Sequence, residues 1–133
     1  MRFEASASLR RCGDAGGFVL EGALRGNGVL VWLRGRGGDS LPRGRYPVLS
    51  RGDTLTPRGA VVAVRFMTGD LAHGLVLDSG VVTVTAGQAR GSGVSAAVRG
   101  AGLESAEGRR VGVEVEFAKT RLAADGARCE TQL

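Results

Sequence analysis

The chain has a single histidine, His73, which any triad of the Ser-His-Asp type would have to use. His73 lies in a predicted strand, Leu71–Leu77, with Asp70 and Asp78 flanking its ends. The sequence has no Gly-x-Ser-x-Gly motif that would expose a serine nucleophile. The pattern therefore favours an ordinary strand or surface histidine, and we expect no catalytic residue in this chain.

Two carboxylates near the end of the chain, Glu114 and Glu116, could serve general acid–base chemistry if they faced a cleft. They alternate with Val113, Val115 and Phe117, so they share the opposite face of a predicted strand. Such a face points to solvent. We expect the two glutamates to pair with arginines on a neighbouring strand rather than to form an active site.

Two short Gly/Arg motifs could indicate binding. Gly35-Arg36-Gly37-Gly38 resembles an RGG element, but no helix follows it to form a phosphate cradle, and it occurs once. Arg51-Gly52-Asp53 matches the tripeptide that integrins recognise, and a chain so rich in Gly and Arg contains it by chance. Nucleic-acid binding through the basic N-terminal half is therefore the least favoured of the binding functions.

The strongest candidate for a binding surface is a group of arginines around the main loops. Arginine is frequent at interface hot spots because its planar guanidinium pairs with carboxylates and stacks on aromatic rings. We expect this group to contact an acidic protein partner or anionic headgroups, and solvated loops are the alternative. The candidates are Arg34, Arg36, Arg43, Arg45, Arg51 and Arg58.

Composition indicates a globular chain whose basic half is compatible with an anionic partner, with solvated arginines on strand faces and loops as the favoured alternative. The 133 residues carry a formal net charge of +5, and residues 1–65 hold eleven arginines against five acids. With 43% hydrophobic residues the chain is too apolar for a disordered tail. Its apolar runs are far shorter than a transmembrane helix requires, so we expect no transmembrane segment. One His and two Cys offer little for a metal, and we expect no metal and no cofactor.

Cys12 and Cys129 lie near opposite ends of the chain and form no CxxC motif. They could form a disulfide that ties the two ends together, which would imply an oxidising compartment. Two unpaired thiols are the alternative. No apolar segment of a secretory signal follows Met1, so the protein would be cytoplasmic if Met1 is the native start.

Alternating hydrophobicity, punctuated by Gly and Asp turns, predicts an all-β domain spanning 1–133. Turn signals every 8–12 residues and the lack of a full-length amphipathic helix favour an antiparallel β-sandwich or flattened barrel of eight to nine short strands. Hairpins are expected at Gly26-Asn27-Gly28 and Asp78-Ser79-Gly80, and a weak helical tendency at Gly102–Gly108. The predicted strands are Phe3–Leu9, Phe18–Leu24, Val29–Arg34, Tyr46–Leu49, Ala60–Met67, Leu71–Leu77, Val81–Ala86, Gly91–Arg99 and Arg110–Ala118.

From Phe18 onward the pattern resembles a loose group of uncharacterised bacterial β-sandwich proteins, many of them exported or lipid-anchored. The matching segments are Val29–Leu33, the turn Pro42-Arg43-Gly44-Arg45-Tyr46-Pro47-Val48, the strands Ser79–Thr85, Gly91–Val98 and Val113–Phe117, and Cys129. This resemblance implies a sandwich fold and a periplasmic or cell-envelope location. It implies no activity and no catalytic residue.

These observations predict a non-enzymatic interaction or structural module, an accessory subunit of a larger assembly that contacts protein partners through its Arg-rich loops, with a membrane-associated assembly as one option. The alternative is a β-sandwich or barrel that binds a small apolar ligand between its sheets. An inward face with small residues would favour the ligand, and Ala60, Ala63, Ala72, Ala96 and Ala97 are the residues that could supply it.

Overall fold

The computed structural model describes residues 2–3, 7–11, 17–24, 26–35, 43–50, 52–53, 55–86 and 93–120. Cys12 and Cys129, Arg36 and Arg51 lie outside the described residues. The described residues form strands and turns, and no helix among them is long and apolar enough to cross a membrane.

The fold is the predicted all-β sandwich. The described residues form nine strands of at least four residues and a two-residue strand, β1, in two five-stranded sheets. The strands are β1 Arg2–Phe3, β2 Ala7–Arg11, β3 Phe18–Leu24, β4 Asn27–Arg34, β5 Gly44–Pro47, β6 Gly59–Thr68, β7 Leu71–Val76, β8 Ser79–Ala86, β9 Val94–Leu103 and β10 Arg110–Thr120.

Strand order distinguishes a sandwich from a barrel. One sheet has the order β1-β10-β9-β8-β5 and the other the order β2-β3-β4-β6-β7, and within the described residues both sheets end in edge strands. All strand pairs are antiparallel except β1 with β10, which is parallel. The open edges exclude the flattened barrel as a closed structure, and the sandwich remains.

Period-two alternation builds the core. Every second side chain is buried in β4 from Val29 onward and in β6 as far as Val64, and these side chains face their counterparts from β8, β9 and β10 of the other sheet. β4 lies between β3 and β6, so it is a central strand of its sheet. The largest fully buried side chain is Tyr46 of β5, a strand of only four residues.

The first predicted strand is wrong as a single element. Its beginning, β1, pairs with β10, whereas its end, β2, pairs with β3 in the other sheet. The alternation from Phe3 to Leu9 fits either arrangement, because a strand of either sheet needs one side facing the core. The pattern reports which residues face a core, but it does not report which sheet each half joins.

The hairpin predicted at Asp78-Ser79-Gly80 is also wrong, because β7 and β8 belong to different sheets. The N–H of Leu77 donates to Val62 of one sheet, and the next N–H, of Asp78, donates to Ala101 of the other. Gly80 has φ +129°, and a Cβ there would collide with the backbone of β9. Glycine is therefore required for this close passage between sheets rather than for a tight hairpin.

The hairpin between β3 and β4 is present, and its turn comes two residues earlier in the chain than the Asn27-Gly28 signal suggests. Asn27 pairs with Leu24 inside the ladder, and Gly26 provides the positive φ of +84°. The side chain of Asn27 accepts a hydrogen bond from the N–H of Met67 at 3.1 Å. At Gly102–Gly108 the structure has the end of β9 followed by a turn, not a helix.

We predict that Gly80→Ala destabilises the fold by on the order of 1–3 kcal/mol, because the alanine would keep a strained backbone and press against β9. The measurement is the free energy of unfolding in urea. Gly112→Ala is the matched control, since a Cβ at Gly112 meets no atom within 4 Å. Equal stability of the two variants would contradict this account of Gly80.

Candidate functional site

The structure divides the predicted group of arginines. Arg36 and Arg51 lie outside the described residues. Arg34 is the last residue of β4. Arg43 lies just before β5, Arg45 lies within β5, and Arg58 lies just before β6. The described members therefore separate into Arg34 on one sheet and a cluster beside the edge strand of the other.

Arg34 is occupied by contacts within the chain. Its guanidinium donates to the carbonyl oxygens of Thr56 at 2.9 Å and Asp53 at 2.7 Å, and it lies 5.0 Å from the ring centre of Trp32. Its side chain is 17% exposed. These bonds fasten the loop between β5 and β6 to the end of β4, so Arg34 is a structural residue.

The carboxylate of the Arg51-Gly52-Asp53 triplet is also used inside this loop. Asp53 accepts hydrogen bonds from the N–H groups of Leu55 and Thr56 and from the Thr56 hydroxyl. The Thr56 bonds are the main cause of a pKa for Asp53 that is lower than its ordinary value. The loop is held by its own hydrogen bonds, which limits the conformations that Asp53 can offer to a receptor.

Arg58 connects the loop to β5. Its guanidinium lies 4.4 Å from the ring centre of Tyr46 and donates to the carbonyl oxygen of Arg43 at 3.0 Å. The pKa of Tyr46 is raised, because burial disfavours the phenolate more than the Arg58 charge favours it. The buried tyrosine thus provides a fixed platform that positions an exposed cation.

Arg43 and Arg45 extend this positive surface. Both side chains are exposed, and Arg45 alternates with the buried Tyr46 along β5. Among the described residues no acidic side chain forms an ion pair with Arg43, Arg45 or Arg58. We call these three residues the β5 arginine cluster. Within it, Arg58 contacts the main chain of Arg43, and Arg45 lies two residues further along the chain.

His73 lies between Thr68 and Glu104 in a hydrogen-bonded row of three side chains that the sequence pattern does not predict. Its Nδ1 is 2.9 Å from Oε2 of Glu104, and its Nε2 is 2.6 Å from the Thr68 hydroxyl. We assign the Nδ1 proton to the bond with the carboxylate, so in the neutral ring Nε2 accepts from Thr68. Phe66 stacks on the imidazole at 4.7 Å. The partner is Glu104 from the other sheet, rather than the flanking Asp70 or Asp78.

The order hydroxyl, imidazole, carboxylate is the one that hydrolases use to activate a nucleophile. Here the imidazole is 3% exposed and is covered by Phe66, and both ring nitrogens are engaged. Thr68, at the end of this hydrogen-bonded set, is an exposed residue. His73 is thus a strand residue, as expected, but it is buried and links β7 to the turn between β9 and β10.

Glu104 is the centre of the turn between β9 and β10. Besides His73, its carboxylate accepts hydrogen bonds from the N–H groups of Ala106 at 2.9 Å and of Glu107. The next residue, Ser105, donates its N–H to the carbonyl oxygen of Gly74 on β7. The turn therefore covers part of the exposed edge of β7, and the His73–Glu104 bond holds it there.

The glutamates of β10 lie as predicted. Glu114 and Glu116 are exposed, and Glu114 is paired with Arg99 across β9 at 3.5 Å. The cross-strand pairing with arginine is thereby confirmed for Glu114. No group of three or more His, Cys, Asp or Glu side chains able to hold a metal ion occurs among the described residues.

A cleft of about 820 Å³ opens at one end of the sandwich. Val64 and Phe66 of β6 form one wall, and Val111, Val113 and Val115 of β10 form the other. β9 pairs with one side of β10, whereas β1 pairs with the other side only at Glu116 and Phe117, which leaves residues 111–115 open on that second side among the described residues. Neither this cleft nor a shallower one over β3, β4 and β6 is lined by Thr68 or His73.

The small residues on which the sequence analysis relied do not form this cleft. Ala60 and Ala96 are buried in the core, where they allow the sheets to approach closely. Ala63, Ala72 and Ala97 occupy alternate positions on the opposite, outward faces of their strands. The cleft results from the open edge of β10, which periodicity does not report.

Comparison of the chain with protein-family models, with curated proteins and with solved structures gave no match. Function is therefore argued from the geometry of this chain.

We predict that Arg34→Ala loosens the loop between β5 and β6, because two carbonyl groups lose their donor. Hydrogen exchange of the Leu55 and Thr56 amides should become faster by about tenfold, the effect of roughly one lost hydrogen bond. Arg45→Ala is the control and should leave these amides unchanged. Equal exchange in both variants would show that Arg34 does not fasten the loop.

We predict a stability difference at acidic pH between the native chain and Glu104→Gln. The bonds from His73 and from backbone N–H groups lower the pKa of Glu104 from 4.5 to about 2. A lowered pKa stabilises the fold above the ordinary value, and this stabilisation is lost as pH falls toward 2. The native chain should therefore lose more unfolding free energy between pH 4.5 and 2 than Glu104→Gln does.

The measurement for Glu104 is urea unfolding at a series of pH values. Glu114→Gln is the matched control, because the Glu114 side chain is 75% exposed, and it should keep the native pH dependence. If Glu104→Gln and the native chain change in parallel, the carboxylate does not couple to the fold as described.

Proposed function

We propose that the protein is a non-enzymatic interaction module that binds an acidic segment of a protein partner through the β5 arginine cluster. The observation that carries the proposal is that Arg43 and Arg45, at the start of the edge strand β5, and Arg58, which bonds to the Arg43 carbonyl from the segment before β6, have no acidic partner among the described residues. Three cations beside one edge strand, uncompensated within the described residues, favour a carboxylate-rich ligand.

The position of the cluster supports an extended ligand. β5 is an edge strand that pairs with β8 on one side, so a peptide can lie along its other side. Pro47 has no N–H to donate, which weakens continuous strand addition at that end. Recognition would therefore depend mainly on the side chains of Arg43 and Arg45.

Preorganisation of Arg58 supports a protein ligand over diffuse attraction of anions. The Tyr46 ring and the Arg43 carbonyl hold the guanidinium in one place, so less side-chain entropy is lost when a carboxylate binds. The main chain supports the cluster as well, since the Arg58 guanidinium packs against Gly44 where a Cβ would collide with it.

The proposal extends to a role as an accessory subunit of a larger assembly. His73 and its hydrogen-bond partners hold the turn at Glu104 against β7, and they are separate from the β5 arginine cluster. The resemblance to exported bacterial sandwich proteins supports a cell-envelope setting for the partner.

The test of this function is affinity capture from source cells with the double variant Arg43→Ser/Arg45→Ser. We expect the variant to retain at least tenfold less of the partner that the native chain holds at stoichiometric amount, as quantified by mass spectrometry. The melting temperature should be nearly unchanged, because both side chains are exposed.

The control is Arg65→Ser/Arg109→Ser, which removes the same charge at two other exposed positions. It should retain the partner. Equal retention by all three proteins would refute the role of the cluster, and equal loss in both variants would indicate nonspecific charge attraction. Binding of the native chain to anionic vesicles that is lost only in Arg43→Ser/Arg45→Ser would assign the cluster to lipid headgroups instead.

A further inference from the structure

The side of β10 that faces away from β9 is an open strand edge. β1 pairs with this side only at Glu116 and Phe117, so the stretch from Arg110 to Val115 has no neighbouring strand there among the described residues. An edge of this kind presents backbone N–H and C=O groups to a strand that approaches it. It is separate from the β5 arginine cluster, because β10 and β5 lie toward opposite sides of the same sheet.

The backbone groups of Arg110, Gly112 and Glu114 point to this open side. In an antiparallel ladder both backbone groups of a residue point to the same neighbouring strand, and successive residues alternate between the two sides. Ala101 of β9 lies opposite Gly112, and its carbonyl oxygen accepts from the N–H of Asp78 beside β8. Gly112 therefore directs its own N–H and C=O away from β9, and so do the residues two positions to either side of it.

We propose that the open edge of β10 pairs with the same edge of a second copy of the chain, as two antiparallel strands related by a two-fold axis at Gly112. Gly112 then bonds through its backbone to Gly112 of the copy, and Arg110 bonds through its backbone to Glu114 of the copy. The two-fold axis makes each of these contacts occur twice. The pairing would join the β10 sheets of both copies into one continuous sheet.

The charges on the outer face of β10 fit this register. Arg110 and Glu114 are exposed, and each comes opposite the other across the axis. Both keep their partners within the chain, since Arg110 bonds to Asp78 at 2.8 Å and Glu114 pairs with Arg99 at 3.5 Å. These charges form a row of alternating sign: Asp78, Arg110, and then Glu114 and Arg99 of the copy. Exposed ion pairs add little affinity, so we assign to them the choice of register.

Neighbouring registers fit less well. Moving the axis to Val111 places Arg110 opposite Gly112 of the copy and removes the ion pair. Moving the axis to Val113 brings Arg110 against Glu116 of the copy, where β1 already occupies the edge. A shift of one strand by a single residue sets the outward backbone groups against residues whose groups face β9. The register at Gly112 is therefore the one that both the charges and the backbone favour.

This stretch of β10 lacks the features that keep edge strands single, which are proline, bulges and inward-pointing charges. Residues 110–115 contain no proline, the inward positions are Val111 and Val113, and the register irregularity of β10 lies beyond them. Other edges of the described residues are protected. β5 ends in Pro47, and the N–H of Ser105 covers the carbonyl of Gly74 on β7.

The test is sedimentation equilibrium of the native chain over a range of concentrations. Edge pairing over so few residues buries less surface than a standard interface, so we expect a dimer with a dissociation constant of about 10–100 μM. Hydrogen exchange locates the contact. The amides of Arg110, Gly112 and Glu114 should exchange more slowly as the concentration rises, whereas those of Val111 and Val113, which face β9, should not change.

Gly112→Pro removes the N–H group at the axis and should raise the dissociation constant of the dimer at least tenfold. This N–H faces away from β9, so its loss leaves the ladder between β9 and β10 intact. Gly112→Ala is the matched control, because it keeps the N–H and its Cβ meets no atom within 4 Å. It should dimerise like the native chain.

Glu114→Arg is the second variant, and it decides the question if Gly112→Pro does not fold. It places like charges opposite each other on both sides of the axis and should weaken the dimer by about tenfold. The control is Glu116→Arg, which changes the net charge equally on the same exposed face but lies where β1 pairs. This control should dimerise like the native chain.

A native chain that stays monomeric at about 1 mM would overturn the proposal. So would a dimer in which the Gly112 amide is not slowed, or one that Gly112→Pro and Glu114→Arg leave unchanged. If Gly112→Pro instead loses a different protein, the edge takes a strand of that protein and the assignment to a second copy is refuted. Arg43→Ser/Arg45→Ser should dimerise like the native chain, so this proposal and that for β5 fail separately.

Discussion

The structure depends on one constraint: the main apolar face of each sheet can leave water only by packing on that of the other sheet. Alternation along β4 and β6 supplies one face, and alternation along β9 and β10 supplies the other. The chain must then cross between sheets without opening the core. At Leu77 and Asp78 it does so within two residues, with each N–H bonded to a different sheet.

Sandwich packing buries the apolar faces of the sheets but leaves their edge strands, and the turn at Glu104 and the proposed arginine surface both lie at such edges. The turn at Glu104 covers part of the edge of β7. Arg45 lies on the edge strand β5, Arg43 lies just before it, and Arg58 reaches it from the segment before β6. The edge of β10 opens into the apolar cleft. Exposed edges invite pairing with other chains, so a natural sandwich must cover, charge or occupy them.

Sequence reasoning predicted the fold class and eight of the strands closely, because strand alternation is a local property. It failed where the result depends on a distant partner. Asp78-Ser79-Gly80 looks like a hairpin, yet the conformation of Gly80 is set by the backbone of β9. The Phe3–Leu9 alternation cannot report that its two halves pair with β10 and β3. A local sequence pattern identifies which side of a strand faces the core. Which strands pair with each other depends on the whole chain.

The same distinction explains the candidate sites. Glu114 is opposite Arg99 because the last hairpin is local, and the pairing was predicted. The His73–Glu104 bond joins residues 31 positions apart in different sheets, and no spacing rule selects Glu104 over Asp70 or Asp78. The acidic residues nearest to His73 in sequence, Asp70 and Asp78, flank its strand. Glu104 instead lies in the turn between β9 and β10, which packs against β7.

Arginine content alone does not identify a binding surface, because the same side chain can fasten a loop or face a partner. Arg34 and Arg45 illustrate both uses. The Arg34 guanidinium donates to two carbonyl groups and lies over an aromatic ring, so we expect its removal to loosen the loop between β5 and β6. Arg45 alternates with a buried tyrosine on an edge strand and has no such contacts among the described residues. Because Tyr46 points into the core, the adjacent Arg45 must point outward. The exposure of an arginine therefore follows from how its strand packs, not from the number of arginines in the chain.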